Sequence, residues 1–426
     1  MGAKEGRRTG AGRNRAGRKV GAGWGCAVME AQEENRLARN LEAIRALAFF
    51  QVFMVVVPVA VPLFGDRGLD LAEILQLQAA FGITVLLAEV PSGYVADLWG
   101  RRRALVVGAL FLGIGHTILV FAQDFRSLVL FEVALGIAVS LISGADIAVL
   151  YDTQLALGHD ETTRQRGLGQ LFFLRATGEA GAGLAAAVLL LFAGLNELVL
   201  LQAMVGWLPL GFALAVVEPP GERLAAGAHL ENLGGVLRAL LANGAVLRLT
   251  FLALGVWSLV TYYAVWLLQQ HWQEQGVPLV VFGLMWALLA TVAAVAGRYA
   301  ATLEEVLGPG ALLMVVALLP AVGYFALAGL PGAAGVLVAP LFFAARGAGF
   351  VVLQQALNRR LDSRHRATAN SLASFLFRGL FAVTVPVVGG LLRVWSPAEV
   401  SALLGAVALA VGLGLVLPLV MAVQAD

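Results

Sequence analysis

Runs of about 20 apolar residues, each closed by a cluster of charged or turn-forming residues, recur along this chain from residue 43 to residue 423. Each is long enough to cross a hydrocarbon core of about 30 Å as an α-helix. They fall at 43 to 64, 71 to 95, 104 to 122, 127 to 151, 167 to 193, 196 to 217, 247 to 270, 278 to 300, 309 to 329, 333 to 358, 367 to 392 and 399 to 423. A backbone inside a membrane must satisfy its own polar groups, which leaves only the helix and the closed barrel. Strand-like alternation is scarce and glycine occurs 50 times, a pattern suited to closely packed helices and not to a barrel. With 60% hydrophobic and 13% charged residues, the chain has too little polar surface for a soluble domain. The expected fold class is an all-α integral membrane protein with twelve transmembrane helices.

One long interruption, 218 to 246, opens Glu218-Pro219-Pro220 and places Leu230, Leu233, Leu237 and Leu241 on one helical face, as in a helix lying on a membrane surface. The expected domains are a basic, disordered cytoplasmic tail (1–40), a six-helix bundle (41–217), a cytoplasmic linker with an amphipathic helix (218–246) and a second six-helix bundle (247–426). Residues 1 to 28 are rich in Gly, Arg and Lys without an apolar run, which argues against a secretory signal peptide, and Met29 is an alternative start. The other reading of this tail is a basic arm for lipid headgroups or nucleic acid; nucleic acid is not expected as a partner. The single cysteine, Cys26, excludes an internal disulfide and a thiol metal cluster.

Positive residues are retained on the cytoplasmic side. With the N-terminus there, that side holds 23 Lys and Arg and the other side only Arg67, Arg126 and Arg393. Both termini are therefore expected in the cytoplasm. The halves also repeat: Arg45 matches Arg248, Gly93 matches Gly297 and Arg175 matches Arg378, at offsets of 203, 204 and 203. Two units in the same orientation imply a two-fold axis along the membrane normal and a substrate site between the halves.

After the second span the chain reads Gly93-Tyr-Val-Ala-Asp97-Leu-Trp-Gly100-Arg101-Arg102-Arg103. This resembles the loop 2-3 signature of the major facilitator superfamily. Fragments around Glu89-Val-Pro91-Ser-Gly93, Ser143-Gly-Ala-Asp146 and Arg366-Ala-Thr-Ala-Asn-Ser371 resemble its bacterial drug-exporter-like branch. The resemblance covers residues 40 to 423 and implies two pseudo-symmetric six-helix bundles in the cytoplasmic (inner) membrane of a bacterium. It also implies a gating cluster of Asp97, Arg101 and Asp152 that latches the halves in one state, with Gly93 for close helix approach and Gly100 for a tight turn. The counterpart after span 8, from Gly297 to Glu304 and Glu305, is degenerate. The family's span 4 arginine is replaced by Glu132 before Gly136, and the span 5 glycines Gly178, Gly181 and Gly183 lack the exporter proline.

An ionised side chain at bilayer depth costs about 2.5–3.5 kcal/mol on insertion scales, so Glu89, Glu132, Asp146, Arg175, Glu179, Arg346 and Arg378 are functional candidates. Glu132, Gly136, Val139, Ser143 and Asp146 recur at helical spacing and predict one polar stripe facing water. Asp146, Glu89 and Glu132 are the proton-coupling candidates, and Asp146 is alternatively the structural partner of an arginine such as Arg346 or Arg378. Arg175 and Glu179, one turn apart, either neutralise each other or meet substrate. In the family, spans 1, 4, 7 and 10 line the cavity, which adds Trp257, Tyr262, Tyr263, Gln354 and Asn358 as substrate contacts.

The five histidines show no HExxH or metal spacing and no GxSxG occurs, so no catalytic site, metal or cofactor is expected and the chain is not an enzyme. The leading expectation is alternating-access, proton-coupled efflux of a small amphipathic or drug-like molecule by a monomer in contact with membrane lipids. The alternatives are transport of an anionic metabolite held by intramembrane arginines, and a non-transporting sensor or scaffold. For the orientation, cysteines replacing Arg67 and Trp395 in a Cys26→Ser background are expected to react with an impermeant reagent added outside, and one replacing His229 is not. The opposite labelling pattern overturns the positive-inside assignment.

Overall fold

The computed structural model describes residues 34–220, 234–235, 244–330, 332–361 and 363–425. Most of the expected basic tail and the leucines of the amphipathic linker helix lie outside the described residues. All regular elements among the described residues are helical, as the apolar runs require.

Eleven of the twelve expected spans are helices long and apolar enough to cross a membrane. They are α3 (Leu71–Trp99), α4 (Arg101–Phe121), α5 and α6 together (Phe125–Ile142, Ala145–Ala156), α7 (Glu161–Leu190), and α8 with α9 (Leu195–Val205, Leu208–Ala215). The second half follows as α10 (Ala245–Glu274), α11 (Leu279–Arg298), the short α12 (Ala300–Leu307), α13 (Pro309–Gly329), α14 (Ala339–Arg359), α15 (Ser363–Leu392), and α16 with α17 (Pro397–Val411, Leu417–Ala425) joined by a π turn. The first expected span, 43 to 64, is not one helix. It divides into α1 (34–50), a turn, a 3-10 turn at Val57–Val59 and α2 (Ala60–Asp66).

Prolines 58 and 62 remove two backbone donors from this stretch. The amide of the fully buried Gln269 repairs the gap from the other half, accepting from Val61 N at 3.0 Å and donating to Val57 O at 3.1 Å. Elsewhere the helix starts are set by local caps. Asp70 accepts from Glu73 N at 2.7 Å while Glu73 accepts from Asp70 N at 3.0 Å, and Ser396 with Glu399 forms a similar box. The α3–α4 connection is Gly100 alone, with φ of 99°, where a side chain would be strained. The first turn of α4 is capped from a distance: Glu218 accepts from Arg101 N and Arg102 N, both at 2.8 Å. Asn40 grips the neighbouring Val217, accepting from its N at 2.8 Å and donating to its O at 2.7 Å. The start of the linker is thereby strapped to the first half.

The apolar packing reveals the shape of the interface. One core cluster contains residues of both halves, from Val55, Leu63 and Leu75 through Ala182 to Tyr263, Phe282, Phe343 and Phe381. It occupies the end of the bundle that carries Arg67 and Arg393. Toward the opposite end two cores stand apart, one around Ile44, Leu105, Val149 and Leu171, the other around Leu247, Trp257, Val316 and Ala373. The halves are welded at one end and separate at the other.

The weld depends on small residues. A Cβ on Gly183 of α7 would lie 2.7 Å from Gly283 O and 2.8 Å from Ala287 N of α11, and one on Gly283 would lie 2.6 Å from Gly183 O. Neither helix can yield without moving its backbone. Gly93 contrasts: it was expected to allow close helix approach, but a Cβ there meets nothing within 4 Å. Gly183→Ala is expected to destabilise the protein by about 1–3 kcal/mol through overpacking, and Gly93→Ala to leave its melting temperature unchanged or raised. Thermal melts of the two variants side by side check this; equal behaviour refutes the packing argument.

Candidate functional site

The fourth span breaks at Ser143 and Gly144, the latter with φ of 87°, so α6 begins anew at Ala145. This break corrects the expected stripe. Helical spacing places residues on one face only along an unbroken helix, and Glu132 and Asp146 are 4% and 0% exposed, with Gly136 packed against Thr84; only Ser143 of the charged and hydroxyl positions is exposed. Asp146 occupies the first turn of α6, accepts from Ile147 N at 2.7 Å and ion-pairs with Arg175 of α7. Gln51, at the break in the first span, joins them, its amide oxygen accepting from Arg175 Nε at 3.1 Å and Nη2 at 3.3 Å. The arginine partner of Asp146 is thus Arg175, in its own half, and not Arg346 or Arg378. Arg175 in turn does not serve as the direct partner of Glu179.

The other charges reach across the halves. Arg378 of α15 pairs with Glu89 of α3 at 3.5 Å and also donates to Ser374. Tyr262 of α10 donates to Gln78 of α3 at 3.5 Å, and Gln78 donates to Glu132 at 2.7 Å. Phe377 and Phe381 set their edges against the Tyr262 ring at 5.4 and 4.8 Å between centroids. The charges acting on Tyr262 are those of Glu132, Arg346 and Arg378, which places all four groups around one region.

Glu179 of α7 and Arg346 of α14 remain. Both are exposed, yet both sit mid-span, and neither makes a hydrogen bond or ion pair with another described residue. The opposite charge acting most on Glu179 is Arg346, ahead of Arg175. Their height is fixed by their neighbours. Leu171 belongs to the first half's separate core and Ala182 to the shared one; Ala345 belongs to the second half's core and Phe343 to the shared one. Glu179 and Arg346 therefore lie where the shared core gives way to two, at the apex of the cleft between the halves.

Other expected contacts sit elsewhere. Trp257 is 2% exposed and wedged against Gly349, and Tyr263 is equally buried with its hydroxyl on Thr384 Oγ1 at 2.8 Å. Both are packing residues because small residues on α14 and a hydroxyl on α15 draw them inward. Asn358 accepts from Asn370 at 2.9 Å near the far end of α14, and Gln354 is half-buried one turn before it. Gln51 and Gln78 were missed as partners, although a glutamine in an apolar run was a visible signal.

At the separated end, Arg101 ion-pairs with Asp152 and donates to Ala148 O at 3.3 Å. The Asp97 side chain lies outside the described residues. The Arg101–Asp152 pair joins α4 to α6 inside the first half, so here it does not bridge the halves. The second half holds a weaker pair of reversed order, Arg359 of α14 with Glu304 of α12 at 3.9 Å.

Removing one member of a buried pair strands the other. Asp146→Asn is expected to destabilise the protein by about 3 kcal/mol, the low end of the range because Arg175 is partly exposed. Adding Arg175→Gln is expected to recover part of the loss. Melts of the single and double variants check it, and additive losses contradict the pairing.

The Major Facilitator Superfamily profile matches residues 43–386. Among curated proteins, the human solute carrier family 2 facilitated glucose transporter member 12 is 31% identical over 77 residues, 18% of this chain and 12% of that protein. The mouse protein of the same name is 29% identical over 173 residues, 37% of this chain and 25% of that protein. The chain thus spans a minor part of the length of these relatives. In fold, it resembles a substituted form of the nucleoside transporter NupG (TM-score 0.75, 13% identity, 90% of this chain and 99% of that one). A bacterial homologue of the human lysosomal transporter Spinster, inward-facing and unoccupied, gives a TM-score of 0.68 at 18% identity over 91% and 94% of the two chains. A D-xylose-proton symporter gives 0.68 at 15% identity over 90% and 97%. With a profile match over most of its helical length and a fold shared from end to end with these transporters, the chain belongs to the Major Facilitator Superfamily.

Proposed function

We propose that this protein is an alternating-access secondary transporter that moves a small polar solute through the cleft between its halves. Family membership makes it a transporter and not an enzyme. The observation that carries the rest is the set of charged and hydroxyl groups at the cleft apex, contributed by both halves: Glu89 and Glu179 from the first, Tyr262, Arg346 and Arg378 from the second. A solute held there touches both halves at once, and its release is tied to their separation.

The charged apex supports a polar solute better than the drug-like, amphipathic one suggested by the exporter-like sequence fragments. The fold neighbours named for nucleosides and D-xylose point the same way. We place the protein in a bacterial inner membrane with both termini cytoplasmic, so that the cleft opens to the cytoplasm, and take the monomer as the working unit. The Arg101–Asp152 pair and the strap at Glu218 hold the cytoplasmic end of the first half as one body that rocks against the second.

Protons are the proposed coupling ion, and Glu89 is the favoured carrier. Its arginine partner belongs to the other half, so protonation removes an attraction between moving parts. Asp146 is sealed against Arg175 within one half and suits a structural role. In proteoliposomes with an imposed pH gradient, labelled uridine, D-xylose and dialanine test the reading, with accumulation of at least one expected. Glu89→Gln is expected to keep exchange of the accumulated solute and to lose uphill accumulation by about tenfold or more. Flux of none of them counts against transport of such solutes and in favour of the sensor reading, and full retention of gradient-driven uptake in Glu89→Gln counts against the coupling role.

A further inference from the structure

Resting on the transport reading above, we propose that the solute is a zwitterion, its cationic group taken by Glu179 and its anionic group by Arg346. The inference follows from the accounting of intramembrane charge. Of the seven acidic and arginine residues deep in the spans, Asp146 and Arg175 pair, Glu89 and Arg378 pair, and Glu132 is held by Gln78. One acid and one base remain, each exposed at the cleft apex, without a hydrogen bond or ion pair to another described residue. They stand on opposite halves, close enough that Arg346 is the chief opposite charge acting on Glu179, yet not in contact.

Two opposite charges on long side chains, exposed on the two sides of the cleft and not ion-paired with each other, offer complementary anchor points to the two ends of one solute. A single positive or negative solute satisfies one residue and leaves the other stranded. A neutral sugar or nucleoside offers both of them hydrogen bonds but no compensating charge. A molecule with both charges neutralises both residues and links the halves through itself, which makes binding favourable in the state where they approach. Arg346 offers a planar fork for a carboxylate or phosphate, Glu179 two acceptor oxygens for an ammonium group. The Tyr262 hydroxyl, which donates to Gln78, lies within the field of Arg346.

Thermal melts of the purified full-length protein test this with a panel of free amino acids and dipeptides, each beside its N-acetyl form, its C-terminal amide, D-xylose and uridine. At least one free zwitterion is expected to raise the melting temperature, through binding to the folded state alone. Its N-acetyl and amide forms are expected to bind at least about tenfold more weakly. Glu179→Gln is expected to abolish discrimination against the N-acetyl form, Arg346→Gln discrimination against the amide, and the charge-exchanged pair Glu179→Arg with Arg346→Glu to regain preference for the zwitterion. Ligand-free melts of each variant report whether it folds. Stabilisation by xylose or uridine that survives both single substitutions overturns the zwitterion proposal and leaves the transport reading standing. Failure of every zwitterion to stabilise the native protein overturns it as well, and labelled uptake of the neutral solutes then decides the transport reading separately.

Discussion

A charge in a hydrocarbon layer must find a partner, water or a ligand, and the interior of this protein is organised around that requirement. Seven acidic and arginine side chains lie deep within its spans. Asp146 with Arg175 ties the broken fourth span to the fifth within the first half. Glu89 with Arg378 ties the second span to the eleventh across the interface. Glu132 is reached by a glutamine and, through it, by a tyrosine of the other half. What these pairings leave over, Glu179 and Arg346, is found at the apex of the cleft, where water or a solute can enter. The same physics thus builds the scaffold and marks the place where it is incomplete.

Backbone groups obey the same rule. Three spans of the first half are interrupted, at residues 51 to 56, at Ser143–Gly144 and at Gly206–Trp207, and the first two interruptions lie close to buried polar side chains. Gln269 replaces the lost helix bonds of the first break from the other half, and Gln51 and Asp146 both meet Arg175 between these two breaks. Irregular backbone at membrane depth is tolerated where protein or a water-filled cavity covers it. Here it brings spans 1, 4 and 5 into one polar knot beside the cleft.

Movement is confined by where the apolar core is shared. At the welded end, glycine contacts between α7 and α11 bring two backbones to a separation that no larger residue permits. At the other end each half keeps its own core, its own charge pair and, in the first half, a strap formed by Asn40, Glu218 and the first turn of α4. Two rigid bodies meeting at a dry, close-packed seam suit rocking, because packed interfaces switch between discrete arrangements and resist gradual deformation.

Eleven of the twelve spans, the helical class and the signature from Gly93 to Arg103 were legible in the sequence, because length, hydropathy and turn residues act locally and a membrane enforces them. The intramembrane charges were legible too, as a set. Their partners were not. Asp146 pairs with Arg175, 29 positions along the chain, and Arg378 with Glu89, 289 positions away, and no periodicity encodes such choices. The expected stripe from Glu132 to Asp146 failed for the same reason that it looked convincing: its spacing assumes one continuous helix, and Gly144 ends it. Trp257 and Tyr263 read as cavity residues by their span, but which face of a helix meets a neighbour is decided only when the neighbours pack. The sequence by itself determined what must be buried in the membrane, since that depends on composition along the chain; the tertiary structure alone decided which charges pair with one another and which two do not, since that depends on distances between spans.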